Sequence, residues 1–443
     1  MRRIPMVSIG DKSLILFQHI FMLFLLVLVN DVTMKAQNCA ITNISLLDGN
    51  TSTDNTSARV SGSNTVWSGQ SAGTGHIFLH DGAITTNISL SDGNISTSNT
   101  SPEISGSKIV WWGLNTITSH IYLYDGASVT EISSLNSNNS TSNINVKMDG
   151  DNLVCQGIES GLLSIYHFDG ANITRISTQN GNSSTDNIEP QIEGNNIIWQ
   201  GFNGSTSHIY MYNGATTTIL SQLFGNTSTM NVSPQIDDNR VVWQGSDGSG
   251  QHIFLYDGIS IQRISTKDGN TSTFNSNPVI SGNFISWEGI EGGISHIYLY
   301  DGLSITRVSS QDGNTSVSNS APDILNNNVV WQGTQGGISQ IFLYDSTGVT
   351  RVSSVGGNNS FNNMDPKIDD SQNIVWVGSN GSTTHVFSGR NCVSSALASA
   401  TIPTIGEWGI ITLFILLLIV KTLAIKENRA LDNSHITKTN VII

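Results

Sequence analysis

The chain has 443 residues, with 19 Lys and Arg side chains against 33 Asp and Glu side chains, which gives a formal net charge of −14 at pH 7. This acidic balance excludes general binding to nucleic acid, which needs a basic surface. Only 12% of the residues are charged, and 43 glycines stand among many Ser, Thr and Asn residues. Such a composition is typical of short strands joined by turns.

Residues 1–36 have the pattern of an export signal. Two arginines and a lysine precede an apolar run over residues 14–29, and cleavage is expected after Ala36. The alternative is an uncleaved membrane anchor. With cleavage, the mature chain begins near Gln37, outside the cytoplasm.

A repeat of 44 residues runs through the middle of the chain. Tryptophan marks one of its positions, at Trp67, Trp111, Trp199, Trp243, Trp287 and Trp331, with Cys155 in the third repeat and Trp376 one residue late. Proline marks a second position, at Pro102, Pro190, Pro234, Pro278, Pro322 and Pro366. The sequence HIYLYDG and its variants mark a third. Together the markers define eight repeats.

Each repeat contains four strand-like segments. In the sixth repeat they read NPVISG, NFISWEG, HIYLYDG and SITRVSS, where Gly, Asn or Asp interrupts short apolar stretches. Asp-Gly after the third segment is a hairpin signal, and proline is tolerated at the start of a strand. Four antiparallel strands per unit predict an eight-bladed β-propeller. We name the strands a, b, c and d, from the axis outward.

The ends of the repeat region predict how the ring of blades closes. The segment Ala40–Ser45 matches strand d, whereas the last repeat stops after strand c. The first segment is therefore expected to complete the last blade, a Velcro closure that leaves no free sheet edge. Cys39 and Cys392 both fall in the interrupted turn between strands c and d. We predict a disulfide between them, which an exported chain permits.

A histidine begins most of the third segments. It occurs at His76, His120, His208, His252, His296 and His385. The ligands of one metal ion must converge, and one histidine per blade around a ring does not. We therefore predict structural hydrogen bonds for these residues.

Positions that differ between blades are candidates for ligand recognition. The residue after the proline position is expected at the mouth of the central channel. The predicted ligand-binding residues are Arg59, Glu103, Lys147, Gln191, Gln235, Asp323 and Lys367, with Val279 in the sixth blade. Their mixed charge can select a ligand. The alternative is a set of solvated residues without one.

The loop between strand d and the next strand a repeats in the form DGNTSTDN. Its side-chain oxygens can ligate calcium, with the acidic positions at Asp48, Asp92, Asp268 and Asp312. The competing interpretation is Asx and Ser/Thr turns that satisfy their own backbone. It is favoured because the loop lacks the closing Glu of an EF-hand. No other cofactor is predicted, and the Asn-x-Ser/Thr triplets are interpreted as turn composition.

A short linker, residues 393–401, follows the repeats. Residues 409–425 are then largely apolar, at the short end for a bilayer span. Basic residues follow, which favours a cytoplasmic tail over residues 430–443. The sequence therefore predicts a single C-terminal transmembrane helix.

Two parts of the chain resemble known families. The segment IPTIGEWG and its apolar helix, residues 402–429, resemble the IPTL-CTERM sorting tail of bacterial envelope proteins, which implies processing by a membrane-embedded sorting enzyme. The motif residues are Ile402, Pro403, Thr404, Glu407, Trp408 and Gly409. The repeat SPQIDDNRVVWQG…HIFLYDG…IQRIS is similar to the TolB-like, WD-like propeller repeat over about residues 40–390. This second resemblance implies the fold and leaves the function open.

These observations predict an exported propeller, residues 37–392, held at the cell envelope or cell surface. The expected function is non-catalytic recognition of a glycan, a peptide or an envelope protein. One alternative is a propeller-type secreted enzyme, a glycan hydrolase or lyase, although the off-pattern acids Glu159, Glu288 and Glu291 define no catalytic site. Another is a purely structural surface protein. The expected partners are the sorting machinery, the membrane and an unidentified glycan or protein.

Overall fold

The computed structural model describes residues 39–47, 50, 52–91, 93–178, 182–354 and 362–393. The predicted signal peptide, most of the linker, the sorting motif, the transmembrane segment and the cytoplasmic tail lie outside these residues. Asp48 and Asp92 also lie outside them. The chain divides into two units, Met1–Ser394 and Ser395–Ile443, and every described residue belongs to the first. Within this described part, no helix is long and apolar enough to cross a membrane.

The described residues form thirty-two strands, which pair as six four-stranded sheets and one eight-stranded sheet. The large sheet consists of two four-stranded sets joined by one parallel pair, Gln251 with Phe274. The structure therefore contains eight antiparallel four-stranded units. This arrangement confirms an all-β, β-propeller-like repeat fold.

The strands follow the predicted order within each unit. Strands a are Thr53–Ser61, Ser98–Ser105, Thr141–Asp149, Asp186–Glu193, Thr229–Asp237, Phe274–Ser281, Val317–Leu325 and Asn362–Ile368. Strands b are Asn64–Ser71, Lys108–Asn115, Asn152–Glu159, Asn196–Asn203, Arg240–Ser246, Phe284–Glu291, Asn328–Gln335 and Ile374–Ser379. Strands c are Thr74–His80, Thr118–Tyr124, Leu162–Phe168, Thr206–Tyr212, Gln251–Tyr256, Ile294–Tyr300, Ile338–Asp345 and Thr384–Arg390.

The outermost strands are short. Strands d are Thr85–Asn87, Val129–Glu131, Ile173–Arg175, Thr217–Ile219, Ile261–Arg263, Ile305–Arg307, Gly348–Arg351 and, for the eighth unit, Ala40–Asn43. Short 3-10 helices follow strand d at Ile44–Leu46, Ile88–Leu90, Leu135–Ser137, Leu220–Gly225, Ile264–Thr266, Val308–Gly313 and Val352–Ser354.

The repeated tryptophan forms the centre of each unit's core. In seven units it stacks on the aromatic ring of strand c, with ring centroids 5.6–5.9 Å apart. In the third unit Cys155 takes this position beside Tyr166. Each stacked pair contributes about 1 kcal/mol beyond its buried area. The 44-residue spacing of tryptophan thus reflects a packing requirement.

A buried asparagine links neighbouring units. Asn231 accepts a hydrogen bond from Trp243 Nε1 at 2.8 Å and donates to the carbonyl of Ser207, on strand c of the preceding unit, at 3.1 Å. Equivalent bonds to the preceding unit are donated by Asn99, Asn143, Asn187, Asn275, Asn319 and Asn363. Asn55 of the first unit donates to the carbonyl of Thr384, in the last unit, at 2.7 Å. The row of units therefore closes on itself.

The N-terminal strand completes the eighth unit. Ala40–Asn43 pairs antiparallel with Thr384–Arg390. The two cysteines for which the sequence predicts a disulfide, Cys39 and Cys392, are joined in the structure, 353 residues apart. Because the two ends of the repeat region share one sheet, fraying of either end would open the closure.

Candidate functional site

Each strand a contains a β-bulge at the residue before the proline position. The strand register shifts there in all eight units. The bulge residues are Ser57, Ser101, Asn145, Glu189, Ser233, Asn277, Ala321 and Asp365, with φ between +50° and +54°. Few residues other than glycine adopt this conformation, and bulges re-aim side chains next to functional sites. The bulges were not predicted from the sequence.

The bulges border a cavity of about 700 Å³. Six of the eight bulge residues line it, together with residues that follow them on strands a of the first seven units. One residue of a strand b, Glu288, also lines it. Because strands a from seven units border one cavity, these strands surround it. We call this space the axial cavity.

Three of the predicted channel-mouth residues form one charged cluster in the axial cavity. Arg59 donates to both carboxylate oxygens of Glu103, from Nε at 3.1 Å and from Nη2 at 3.4 Å. Lys147 Nζ, one unit further on, donates to the same carboxylate. Two cations therefore share one carboxylate, and the cluster carries a net charge of +1.

The cluster keeps Glu103 ionised. Burial opposes ionisation of this side chain, which is 18% exposed, but the adjacent Arg59 and Lys147 outweigh that cost and lower the pKa of Glu103 to about 2. The carboxylate is thus negative at any physiological pH. It fixes the positions of both cations at the cavity wall.

The other predicted residues divide into two groups. Gln191, Gln235 and Val279 line the axial cavity. Asp323 and Lys367 instead form a separate ion pair, with Lys367 Nζ 3.2 Å from Asp323 Oδ1. Asp323 Oδ2 also accepts the backbone N–H of Ile368 at 2.9 Å. These two side chains join the seventh unit to the eighth.

Two acids of the axial cavity were not among the predicted binding residues. Glu189, itself a bulge residue, accepts the backbone N–H of Ser233 at 3.2 Å. Glu288 accepts the N–H of Ala321 at 2.8 Å, and burial raises the pKa of Glu288. The repeat pattern holds a signal for the second acid, because units three, four, five and seven have glutamine at the position of Glu288: Gln156, Gln200, Gln244 and Gln332.

The repeated histidines pair with serines away from the axial cavity. Six His Nδ1 atoms lie 3.0–3.4 Å from a serine Oγ. In the fifth unit, His252 Nε2 also lies 3.4 Å from Asp247 Oδ1, so Ser265, His252 and Asp247 have the order of a hydrolase triad. Ser265 is only 4% exposed, however, and its Oγ accepts the N–H of Ile253 at 3.1 Å. This serine is a structural residue.

The loops proposed for calcium use their oxygens internally. Ser272 Oγ donates to Asn270 Oδ1 at 2.7 Å and to Asn275 Oδ1 at 2.5 Å. The carboxylate of Asp312 accepts the N–H of Val349 at 2.9 Å, and the backbone carbonyl of Asp268 accepts the N–H of Ile305 at 3.3 Å. Within the described residues, no group of three or more His, Cys, Asp or Glu side chains could hold a metal ion.

In the same loops, the side-chain amides of the Asn-x-Ser triplets already make hydrogen bonds to the backbone. Asn94, Asn138 and Asn314 each donate from Nδ2 to the carbonyl of the serine five residues earlier, at 2.7, 2.7 and 2.9 Å. A glycan on Nδ2 would replace a donor of this bond. The structure therefore gives these amides a role in turn formation.

Comparison with solved structures finds similarity to the propeller domain of a protease and to two peptidases. The β-propeller domain of the Trilobed protease from Pyrococcus furiosus is 15% identical, with 68% of this chain and 98% of that chain covered and a TM-score of 0.45. A prolyl endopeptidase is 14% identical, with 69% of this chain and 49% of that chain covered and a TM-score of 0.47. The acylaminoacyl peptidase of Pyrococcus horikoshii is 13% identical, with 74% of this chain and 57% of that chain covered and a TM-score of 0.45.

These comparisons are limited to the fold. This chain spans about half the length of the prolyl endopeptidase and the acylaminoacyl peptidase. No protein-family model matches the sequence, and the search of curated proteins gives no match. The TolB-like and IPTL-CTERM resemblances therefore stay predictions.

The comparisons correct the expected function. The sequence predicts a non-catalytic recognition module for a glycan, a peptide or an envelope protein. The similar solved chains are instead the propeller domain of a protease and two peptidases. The expectation is wrong because the repeat pattern reports the scaffold, and a scaffold carries no information on the reaction that it serves.

Proposed function

We propose that this chain is the propeller component of a hydrolytic system and that substrate enters its axial cavity. In this proposal a partner polypeptide supplies the residues that cleave the bond. The observation that carries the proposal is the axial cavity itself, which is bordered by seven units and lined by fixed charges. Its volume of about 700 Å³ lies within the range of small-molecule sites, about 300–1,000 Å³.

The charged lining is preorganised for a ligand. Arg59 is held by two bonds to Glu103 and by a third, from Nη1 to the carbonyl of Ala58 at 3.0 Å. Side chains that are already ordered lose little entropy when a ligand binds. A cavity whose charges served only solvation would not require such restraint.

The finer architecture is part of the same proposal. We propose an eight-bladed propeller with Velcro closure. The pairing of Ala40–Asn43 with Thr384–Arg390 and the bond from Asn55 to Thr384 support it.

The proposed location is outside the cytoplasm, at the cell envelope. The bond between Cys39 and Cys392 supports this location, because disulfides persist in oxidising compartments. Attachment through residues 402–429, with the envelope sorting machinery and the membrane as partners, rests on the IPTL-CTERM resemblance.

The test is the hydrolytic activity of the native complex. The full chain would be affinity-purified from its own cells under mild conditions and assayed on fluorogenic peptide substrates. We expect peptidase activity to copurify with the wild-type chain. It should fall about tenfold or more in an Arg59→Met, Glu103→Gln, Lys147→Met triple variant, which leaves no unpaired charge in the cluster, when that variant keeps its bound partner. Arg351→Met, at the outer edge of the seventh unit, is the matched control. Absence of hydrolytic activity from the wild-type complex would contradict the proposal.

A further inference from the structure

The axial cavity is divided by charge. The cluster of Arg59, Glu103 and Lys147 carries a net charge of +1 on the wall formed by the first three units. Asp323 and Asp365 of the seventh and eighth units also act electrostatically on Arg59. Glu189 of the fourth unit and Glu288 of the sixth unit place two carboxyl groups on the wall that follows along the ring. A single cavity thus carries fixed cations on one arc and carboxyl groups on the other.

The positive wall keeps donors for a ligand. A guanidinium has five N–H groups and an ammonium has three. Among the described residues, Arg59 uses three donors, two on Glu103 and one on the carbonyl of Ala58. Lys147 uses one, on Glu103. The remaining donors of these two side chains can bind a carboxylate, and a guanidinium can do so through two parallel bonds.

The negative wall carries more charge than the scaffold requires. At the position of Glu288, glutamine occurs in four other units, and its amide oxygen could accept the N–H of Ala321 equally well. The carboxyl group therefore adds a charge that this backbone bond does not need, and it also hydrogen-bonds the side chain of Asn277. Glu189 differs in the same way, because serine, asparagine, alanine or aspartate occupies the bulge position of the other units.

We propose that the axial cavity binds a zwitterion, with its carboxylate at Arg59 and Lys147 and its ammonium group at Glu189 and Glu288. The chemical class that fits is a short peptide with both termini free. The inference deepens the proposed function by naming the class of molecule that a hydrolytic partner would consume or release. It rests on the same cavity, but it concerns binding and not cleavage.

The experiment is isothermal titration of the purified full chain, without any partner, with dialanine to pentaalanine peptides. Each peptide would also be tested with an acetylated N-terminus and with an amidated C-terminus. We expect one length to bind best and each blocked form of that peptide to bind about tenfold more weakly, because each block removes one charge pair of about 1.4 kcal/mol.

Two variants assign the two ends of the ligand. Glu288→Gln restores the residue of the neighbouring units, and we expect it to reduce the preference for a free N-terminus while the preference for a free C-terminus stays. Arg59→Gln should reduce the preference for a free C-terminus while the preference for a free N-terminus stays. Glu291→Gln, whose side chain bonds Arg307 at the outer edge of the same unit, is the matched control and should leave both preferences unchanged.

The outcomes separate this inference from the proposed function. Equal affinity for the free and the blocked peptides, or no binding of any peptide at millimolar concentration, would overturn the zwitterion site. Hydrolytic activity of the native complex would then still stand on its own assay. Conversely, a complex without activity would leave the measured preference for free termini intact.

Discussion

At the scale of single residues, the axial cavity depends on Glu103. This carboxylate neutralises one of the two positive charges of the half-buried Arg59 and Lys147 and holds both side chains at fixed positions. Its role is electrostatic and positional, because its oxygens are already taken up by Arg59 and Lys147. Replacing it therefore changes the charge of the wall as well as its rigidity.

Glu103→Gln should lower the free energy of unfolding by about 2 kcal/mol at pH 7, because two cations lose their charged partner. The pKa of Glu103 in the folded protein, about 2, lies below its ordinary value of 4.5. Its contribution to stability is thus present above about pH 4.5 and is lost as the pH falls towards 2. Urea unfolding of wild type and variant at pH 7 and at pH 3 measures the difference. If Glu103→Gln lowered the free energy of unfolding by the same amount at pH 7 and at pH 3, this electrostatic role of Glu103 would be contradicted.

At the scale of structural elements, a buried asparagine recurs as one of the contacts that join each unit to the preceding one. Asn231 receives hydrogen bonds from Trp243 and Ser228 and donates to Ser207. The Asn-x-Ser-x-x-Asn spacing of the loops is explained by this network. The most constant polar residues of the repeat therefore hold units together. The residues that vary between units are the candidates for ligand selection.

Asn231→Ala should cost about 3 kcal/mol of unfolding free energy, because it leaves Trp243 Nε1 and the carbonyl of Ser207 without their partner in a buried site. Ile259→Ala, in the turn between strands c and d of the same unit, is the control, because the Ile259 side chain is 79% exposed; it should change stability by less than about 0.5 kcal/mol. Chemical denaturation of both variants measures the effect. Equal stability of the two variants would mean that the network does not hold the units together.

Strand a differs between alternate units in a way that the sequence does not predict. Units one, three, five and seven have a second bulge in strand a, with positive φ at Asp54, Ser142, Met230 and Ser318. They are one aspartate, two serines and one methionine, so no single residue type marks the position. Tertiary packing sets this backbone conformation, and local sequence does not.

Much of the fold could be predicted from the sequence, because its markers follow from packing and chain closure. The position of Trp243 recurs in the other units as the centre of packing. Cys39 and Cys392 mark where the covalent chain is interrupted between strands c and d. The candidate site could be predicted only in part. Arg59 and Glu103 stand in a recognisable register, but the cavity position of Glu189 follows from a bulge that only the folded ring imposes.

At the scale of the whole molecule, the ring depends on joining the two ends of the repeat region. Ala40–Asn43 contributes only one short strand to the last unit. The bond between Cys39 and Cys392 spans 353 residues. A crosslink across so long a loop stabilises by about 6 kcal/mol in the chain-entropy model. The axial cavity requires this closure, because its wall runs through seven units.

Cys39→Ser should therefore lower the melting temperature and weaken peptide binding together. Hydrogen exchange would show the loss of protection beginning at residues 40–43 and 384–390. Cys155→Ala, which removes the buried thiol of the third unit, is the control and should leave exchange in the eighth unit unchanged. A Cys39→Ser variant with wild-type melting and wild-type exchange would show that the disulfide is dispensable for closure.

The most direct test of the central claim is a crystal structure of the full chain with the best-binding alanine peptide. The account predicts peptide density inside the axial cavity, with the C-terminal carboxylate within hydrogen-bond distance of Arg59 or Lys147. The N-terminal ammonium group should lie against Glu189 or Glu288. Density on the outer surface of the units, with the axial cavity filled only by water, would contradict the account.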